Sequence, residues 1–160
     1  MARIRTIDAS VHPVTQVLDC PGIQLLRHER GFTEQEHAAF LEDASRSIAR
    51  ATANLRHVLI IDVNAAEAGS SLQRQRQARW QEEHAGFFRR HVIAAIFVAR
   101  SPIVRGAIRA VGWFRPFPYA THEVDELEAA IDKAVQLLVA DGQRAPTKAE
   151  LDLLRAIYKR

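Results

Sequence analysis

Two adjacent serines, Ser70 and Ser71, stand eight and nine residues after Asp62, at the point where a small-residue loop meets a helical pattern. Hydroxyls in that place allow two chemistries. A serine oxygen can accept an otherwise unbonded amide hydrogen and cap the helix. A serine hydroxyl can also be phosphorylated or touched by a partner, and a phosphate there would suit the helix dipole while changing the surface charge. Asp62 and Asn64 close the preceding apolar run and belong to the same candidate site. Arg74, Arg76 and Arg79 follow the serines, either as counter-ions or as a solvated helix face.

A second site of this kind lies at Ser101, with Arg100, Arg105 and Arg109 around it. Ser101 follows an apolar run and precedes a proline, the pattern of a helix N-cap with proline at the first helical position. Amides at such a start point outward and can hold an anion. In open α/β sheets ligands collect at the carboxyl edge of the strands, where Asp62 and Ser101 would both fall. A third feature is the aromatic segment Trp113-Phe114-Arg115-Pro116-Phe117-Pro118-Tyr119. Trp113, Phe117 and Tyr119 are candidates for an interface, since Trp, Tyr and Arg dominate binding hot spots. Closing the core is the other reading.

Other chemistry is not assembled. Cys20 sits beside Pro21 with no basic neighbour, so nothing local makes it a reactive thiolate. Trp80, His84, Phe87 and Phe88 recur at helical spacing with His91 behind them, as a core stripe would, and no acid or cysteine pairs with His84 to bind a metal. There is no glycine-rich phosphate loop, no His-Glu-x-x-His pattern and no Gly-x-Ser-x-Gly elbow. No nucleophile, base and orienter can be put together, so the expectation is a non-enzyme without metal or cofactor.

These residues need a scaffold. The chain has 160 residues, 48% of them hydrophobic, which suits one domain with one core. No apolar run reaches the ~18–20 residues of a membrane span. The opening stretch "MARIRTIDAS" has no apolar segment and does not read as a secretory signal. One cysteine excludes an internal disulfide framework, and a cytoplasmic location is expected. The formal net charge of +3 comes from scattered arginines rather than a dense basic stripe, so nucleic acid is not the expected partner.

Val14–Leu18 and Ile23–Arg27 read as a hairpin around Asp19-Cys20-Pro21-Gly22. Thr33 and Glu36 form a capping box that opens a helix with Phe40, Leu41, Ala44 and Ile48 on one face. "HVLIIDV" from His57 to Val63 is a strand covered on both faces. A long helix is expected from about Ser70 to His91, then a buried strand over Val92–Ala99, and a helix from Ser101 to about Trp113. Pro116 and Pro118 end that helix before a short strand at Phe117–His122. Val124, Leu127, Ile131, Ala134 and Leu138 trace a further helix, ended by Asp141-Gly142. Thr147 and Glu150 make a second capping box for a last helix bearing Leu151, Leu154 and Tyr158. The order β-β-α-β-α-β-α-β-α plus a C-terminal helix predicts an α/β domain with a mixed sheet of about five strands. Residues 1–142 are expected to form the domain and 143–160 a C-terminal helical extension.

The hairpin start, "LIIDV", the loop to a helix at two serines, and "IFVARSPIVRGAIRAV" together resemble the STAS superfamily of anti-sigma-factor antagonists of the SpoIIAA type. "FRPFPYATHEVDELEAAIDKAVQLL" resembles a bacterial SpoIIAA-like branch. The resemblance spans roughly Val14–Leu138. In that family an Asp-Ser-Ser-Gly-like motif starts the helix after the central strand, and a partner anti-sigma kinase phosphorylates a serine in it. The matching place here is Gly69-Ser70-Ser71-Leu72, without the acid before or the glycine after. The resemblance implies a regulatory protein-interaction module, with a protein partner, a homodimer among the options, and Ser71 ahead of Ser70 as the modified residue. Related sheets include the SEC14-like carrier domain, so the rival expectation is a lipid or anion held between the sheet and the helix at Pro102–Trp113.

Overall fold

The computed structural model describes residues 13–49, 56–67 and 69–159. The opening stretch "MARIRTIDAS", expected not to be a secretory signal, lies outside the described residues. The hairpin is β1 (Val14–Cys20) and β2 (Ile23–His28), joined through Pro21 and Gly22. Gly22 has φ +77°, and a Cβ there would meet the Leu138 side chain at 2.8 Å, so glycine serves both the turn and the packing above it. Then come α1 (Glu34–Ala49), β3 (His57–Asp62), α2 (Ser71–Glu83), α3 (Ala85–His91), β4 (Val92–Val98), α4 (Pro102–Phe114), β5 (Ala120–Val124), α5 (Leu127–Ala140) and α6 (Lys148–Tyr158).

The five strands lie side by side in chain order. β2 to β5 run parallel, and β1 is antiparallel to β2. Because each parallel strand sits beside its predecessor, right-handed crossovers place α1, α2–α3 and α4 all on one face. Leu59, Ala95 and Phe97 look toward that face and meet Ile48, Trp80, Phe88, Ile108, Phe117 and Tyr119. The alternate residues Ile23, Leu25, Val58, Ile60, Ile96 and Val98 look the other way, onto Leu127, Ala130, Ile131, Ala134 and Leu138 of α5 and Leu154 of α6. Covering on both faces is why β3 and β4 read as unbroken apolar runs.

The fold departs from expectation in three places. The helix expected from Ser70 to His91 is two helices. At His84 the backbone leaves helical geometry (φ −101°, ψ 10°), and the redirected turn drives Phe88 into the core beside Trp80. The last strand begins at Ala120, not Phe117, because Pro118 has no N–H to give a ladder. The helix set apart as a C-terminal extension packs into the same core: Leu154 is fully buried among α5 and the sheet. Both capping boxes form, Thr33 with Glu36 and Thr147 with Glu150. α5 ends in a Schellman turn. Gln143 N–H bonds Leu138 O at 2.9 Å, Gly142 N–H bonds Val139 O at 3.0 Å, and Gly142 has φ +77°. No described helix is long and apolar enough to cross a membrane.

If α6 is part of the core, Leu154→Ala should lower the unfolding free energy by about 3 kcal/mol in a denaturant titration. Leu153→Ala, on the exposed side of the same helix, should change it by less than about 0.5 kcal/mol. Equal small effects would show that α6 is dispensable.

Candidate functional site

β3 delivers Asp62 to the carboxyl edge on the face that α5 and α6 cover, where it is buried. A buried carboxylate must be hydrogen-bonded to be tolerated. Asn64 donates to Asp62 Oδ1 twice, through its backbone N–H and its Nδ2–H, each at 2.9 Å. Tyr158 donates its hydroxyl to Asp62 Oδ2. Arg27, level with Asp62 on β2, donates to the Tyr158 carbonyl and stacks its guanidinium 5.4 Å from the Tyr158 ring centre. Asn64 Oδ1 in turn accepts the Arg100 N–H at 2.8 Å, so the loop after β3 is fastened to the loop after β4. Burial, then the Asp62 hydrogen bond, push the Tyr158 phenol up to about 12.

The serines divide their work. Ser70 is the N-cap of α2: Oγ accepts the Gln73 N–H at 3.1 Å, and Gln73 Oε1 accepts the Ser70 N–H at 3.2 Å. The Ser70 hydroxyl hydrogen goes to Glu34 at the start of α1. Gln73 Nε2 donates to Phe32 O at 2.9 Å, and Arg76 lies 3.3 Å from Glu34, so the starts of α1 and α2 are tied together. Ser71 is the first helical residue and is exposed. Its Oγ lies 3.3 Å from a guanidinium nitrogen of Arg74, whose other arm binds Gly69 O. Phe32, Thr33, Glu34, Glu67, Gly69, Ser70 and Gln73 line a shallow cleft of about 320 Å³ beside these serines. Beneath its wall, Phe32 makes edge contacts with His28 and His37 at 5.5 and 5.6 Å. Burial holds the His28 imidazole down to about 4.

The β4 side of the edge is occupied differently. Ser101 Oγ caps α4 by accepting the Val104 N–H at 3.5 Å. Arg105 donates to Ala99 O at 2.7 Å and is ion-paired with Asp125, while Arg100 is 4.0 Å from Glu126. Both arginines proposed for an anion therefore have carboxylates beside them. Arg109 is held by Glu123 through two contacts of 3.0 and 2.7 Å.

Asp62, Asn64, Ser70, Ser71, Arg100, Ser101 and Arg105 thus gather at one edge of the sheet. The aromatic candidates do not join them. Trp113, Phe117 and Tyr119 precede β5 and so lie toward its opposite end. Phe117 and Tyr119 stack on each other at 5.9 Å and pack into the core, whereas Trp113 is 84% exposed. With Ile108, Gly112, Thr121 and Glu123 they line a cleft of about 290 Å³ under α4.

Sequence reasoning did not single out Tyr158, Arg27 or Glu34 for the site, because their partners are far away along the chain, and it passed over Gln73, whose place three residues after Ser70 is a local capping-box signal. It also left Ser45 unremarked. Trp80 Nε1–H donates to Ser45 Oγ at 2.9 Å, and Ser45 Oγ–H donates to Leu41 O at 2.9 Å. With its one proton engaged, Ser45 can only accept from His84 Nε2, 3.1 Å away. This serine–histidine contact is a core hydrogen bond with the wrong polarity for a nucleophile and its base. Cys20 is buried, which pushes its thiol up to about 11, so it is not a nucleophile at neutral pH. Among the described residues no group of three His, Cys, Asp or Glu side chains is placed to hold a metal ion.

Ser70→Ala removes a cap and should cost about 1 kcal/mol of stability. Tyr158→Phe should cost about 2 kcal/mol, the scale of a hydrogen bond to a charged group. The Tyr158 pKa lies above the ordinary unfolded value near 10, so the folded chain keeps its phenol proton where the unfolded chain loses it. That stabilisation is complete below about pH 10 and is lost as pH rises toward about 12. A plot of unfolding free energy against pH should therefore be flatter for Tyr158→Phe than for wild type in that window, and parallel curves would exclude the linkage.

No family model and no curated protein matches the sequence. A solved structure does: an uncharacterized protein of the DUF3478 family from Shewanella loihica PV-4, described as having a SpoIIAA-like fold. The match has a TM-score of 0.56 at 11% sequence identity and covers 76% of this chain and 91% of that one. The parallel strands β2–β5, the crossover helices on one face and the helices closing the other are thus a SpoIIAA-like α/β fold.

Proposed function

We propose that the chain is a non-catalytic regulatory module that binds a partner protein through the carboxyl edge at Asn64–Gln75 and Ser101–Arg105, and that phosphorylation of Ser71 switches this binding. The observation that carries the reading is the division of labour between the two serines. Ser70 is engaged as the cap and in the bond to Glu34, while Ser71 is exposed and accepts from Arg74. The first amides of a helix have no carbonyl within it to bond. A phosphate on Ser71 would sit at these amides with Arg74 alongside, where the helix dipole favours negative charge. It would add roughly two negative charges to an edge where Asn64, Ser70 and Ser101 are neutral and Arg76, Arg100 and Arg105 already stand beside carboxylates. The non-catalytic part is supported by the hydrogen bonding of Ser45 and the burial of Cys20, which leave both without nucleophilic character.

A carrier role is the second reading, supported by the aromatic cleft under α4. At about 290 Å³ it stands at the small end of ligand pockets, which places this reading behind the first.

The two readings have separate tests. Partners captured by wild type, Ser71→Ala and Ser71→Asp are compared quantitatively, and at least one should change its affinity about tenfold or more with the added charge. Identical partners and affinities for all three would end the switch. Native mass spectrometry of the purified chain should give the bare polypeptide mass, and a retained small molecule would favour the carrier.

A further inference from the structure

The two edges of the sheet are protected unequally. β1 has a register shift between Val17 and Cys20 in its pairing with β2, and α6 packs on it. Bulges and covering elements are the usual ways of blunting an edge. β5 pairs with β4 in unbroken register from Ala120 to Val124, and among the described residues no strand lies on its outer side. Its sequence, Ala-Thr-His-Glu-Val, contains neither the lysine nor the proline that discourages edge pairing.

The direction of its free backbone groups follows from one hydrogen bond. Val124 O accepts the Ala99 N–H at 3.0 Å, so the backbone of Val124 turns toward β4. Backbone groups alternate along a strand, so Ala120 and His122 also turn inward, and the N–H and C=O of Thr121 and Glu123 turn outward. These two residues are symmetric about His122. The strand is therefore its own complement. Beside it stands Trp113, at 84% the most exposed large apolar side chain of the described residues, on the rim of the cleft that Thr121 and Glu123 also line.

We propose that β5 pairs antiparallel with β5 of a second copy of this chain, about a two-fold axis at His122, so that the sheet continues from one copy into the other. Thr121 then faces Glu123 of the second copy in a hydrogen-bonded pair, and the symmetric pair repeats it, giving about four backbone hydrogen bonds. His122 faces His122 of the second copy at the non-hydrogen-bonded position. The charges permit this. Glu123 is already neutralised by Arg109 and meets a threonine. Burial and the charge of Lys133 lower the His122 pKa, so at pH 7 the imidazoles meet uncharged. An axis normal to the sheet keeps both α4 helices on the same side. The pair of short strands alone falls well below the roughly 800 Å² per partner of a standard interface, so the Trp113 flank of α4 supplies the rest. This inference is independent of the Ser71 switch at the opposite end of the strands.

The test is analytical ultracentrifugation of the full chain across roughly 1 to 300 μM, the range in which an interface of modest area associates. A reversible dimer is expected, weakened at least tenfold by Trp113→Ala and abolished by Thr121→Pro. Proline at 121 removes an outward N–H and leaves the bonds to β4 in place. Hydrogen exchange of the wild type decides the matter even where that variant does not fold. The amides of Thr121 and Glu123 should gain protection with concentration, whereas that of His122, bonded to β4, is protected throughout. A monomer at every concentration, a dimer indifferent to Thr121→Pro, or Thr121 and Glu123 amides unprotected in the dimer would each overturn the proposal. A monomer whose Thr121 amide is protected only by another protein's strand would reassign the edge to a foreign partner.

Discussion

A carboxylate at the end of a central strand, shut off from water, has to be solvated by the protein itself. Asp62 is in that position, and much of the carboxyl edge is arranged around it. Its oxygens take the Asn64 amides from the loop that follows and the Tyr158 hydroxyl from the last helix. Arg27 of β2 then holds the end of α6 from the side. Asn64 passes the constraint on to Arg100 and so to the start of α4. Removing one member would leave another buried and unpaired, which costs more than the bond itself. The loop that presents the serines is thus anchored at its beginning by Asp62 and at its end by the capping box of Ser70 and Gln73.

That anchoring frees Ser71. A helix start needs one good cap, and Ser70 fills the role while also bonding Glu34 across to α1. The neighbouring hydroxyl is then available on a rigid frame, at the end of the sheet where the amides of α2 point outward.

The two long edges of the sheet answer a different demand. The antiparallel strand β1 is bulged and lies under α6, so the C-terminal helix closes the core and shields an edge at once. Among the described residues no strand covers the outer side of β5, where Pro116 and Pro118 stop α4 and delay the strand until Ala120. The aromatic segment between them is shared out accordingly. Phe117 and Tyr119 fill the core, and Trp113, at the end of α4, is left to solvent.

Much of the fold could be read from local patterns, since local physics decides them. The apolar runs of β3 and β4 follow from a sheet covered twice. The capping boxes at Thr33 and Thr147, the proline at the start of α4 and the glycine that ends α5 each satisfy backbone groups within a few residues. Ser70 as a cap belongs to the same class. The break at His84 was not legible, because it depends on Phe88 reaching a core formed by distant strands. Nor was the role of α6 legible: its apolar face at Leu154 looks the same whether it meets the sheet or stands apart. The bonds from Asp62 to Tyr158, Ser70 to Glu34 and Ser45 to His84 join residues 96, 36 and 39 positions apart. No periodicity encodes such pairs. Apolar spacing and backbone capping, both local, set which segments form helices and strands. The tie from Ser70 to Glu34 and the exposure of Ser71 came only with folding, because they depend on where α1 lies beside α2.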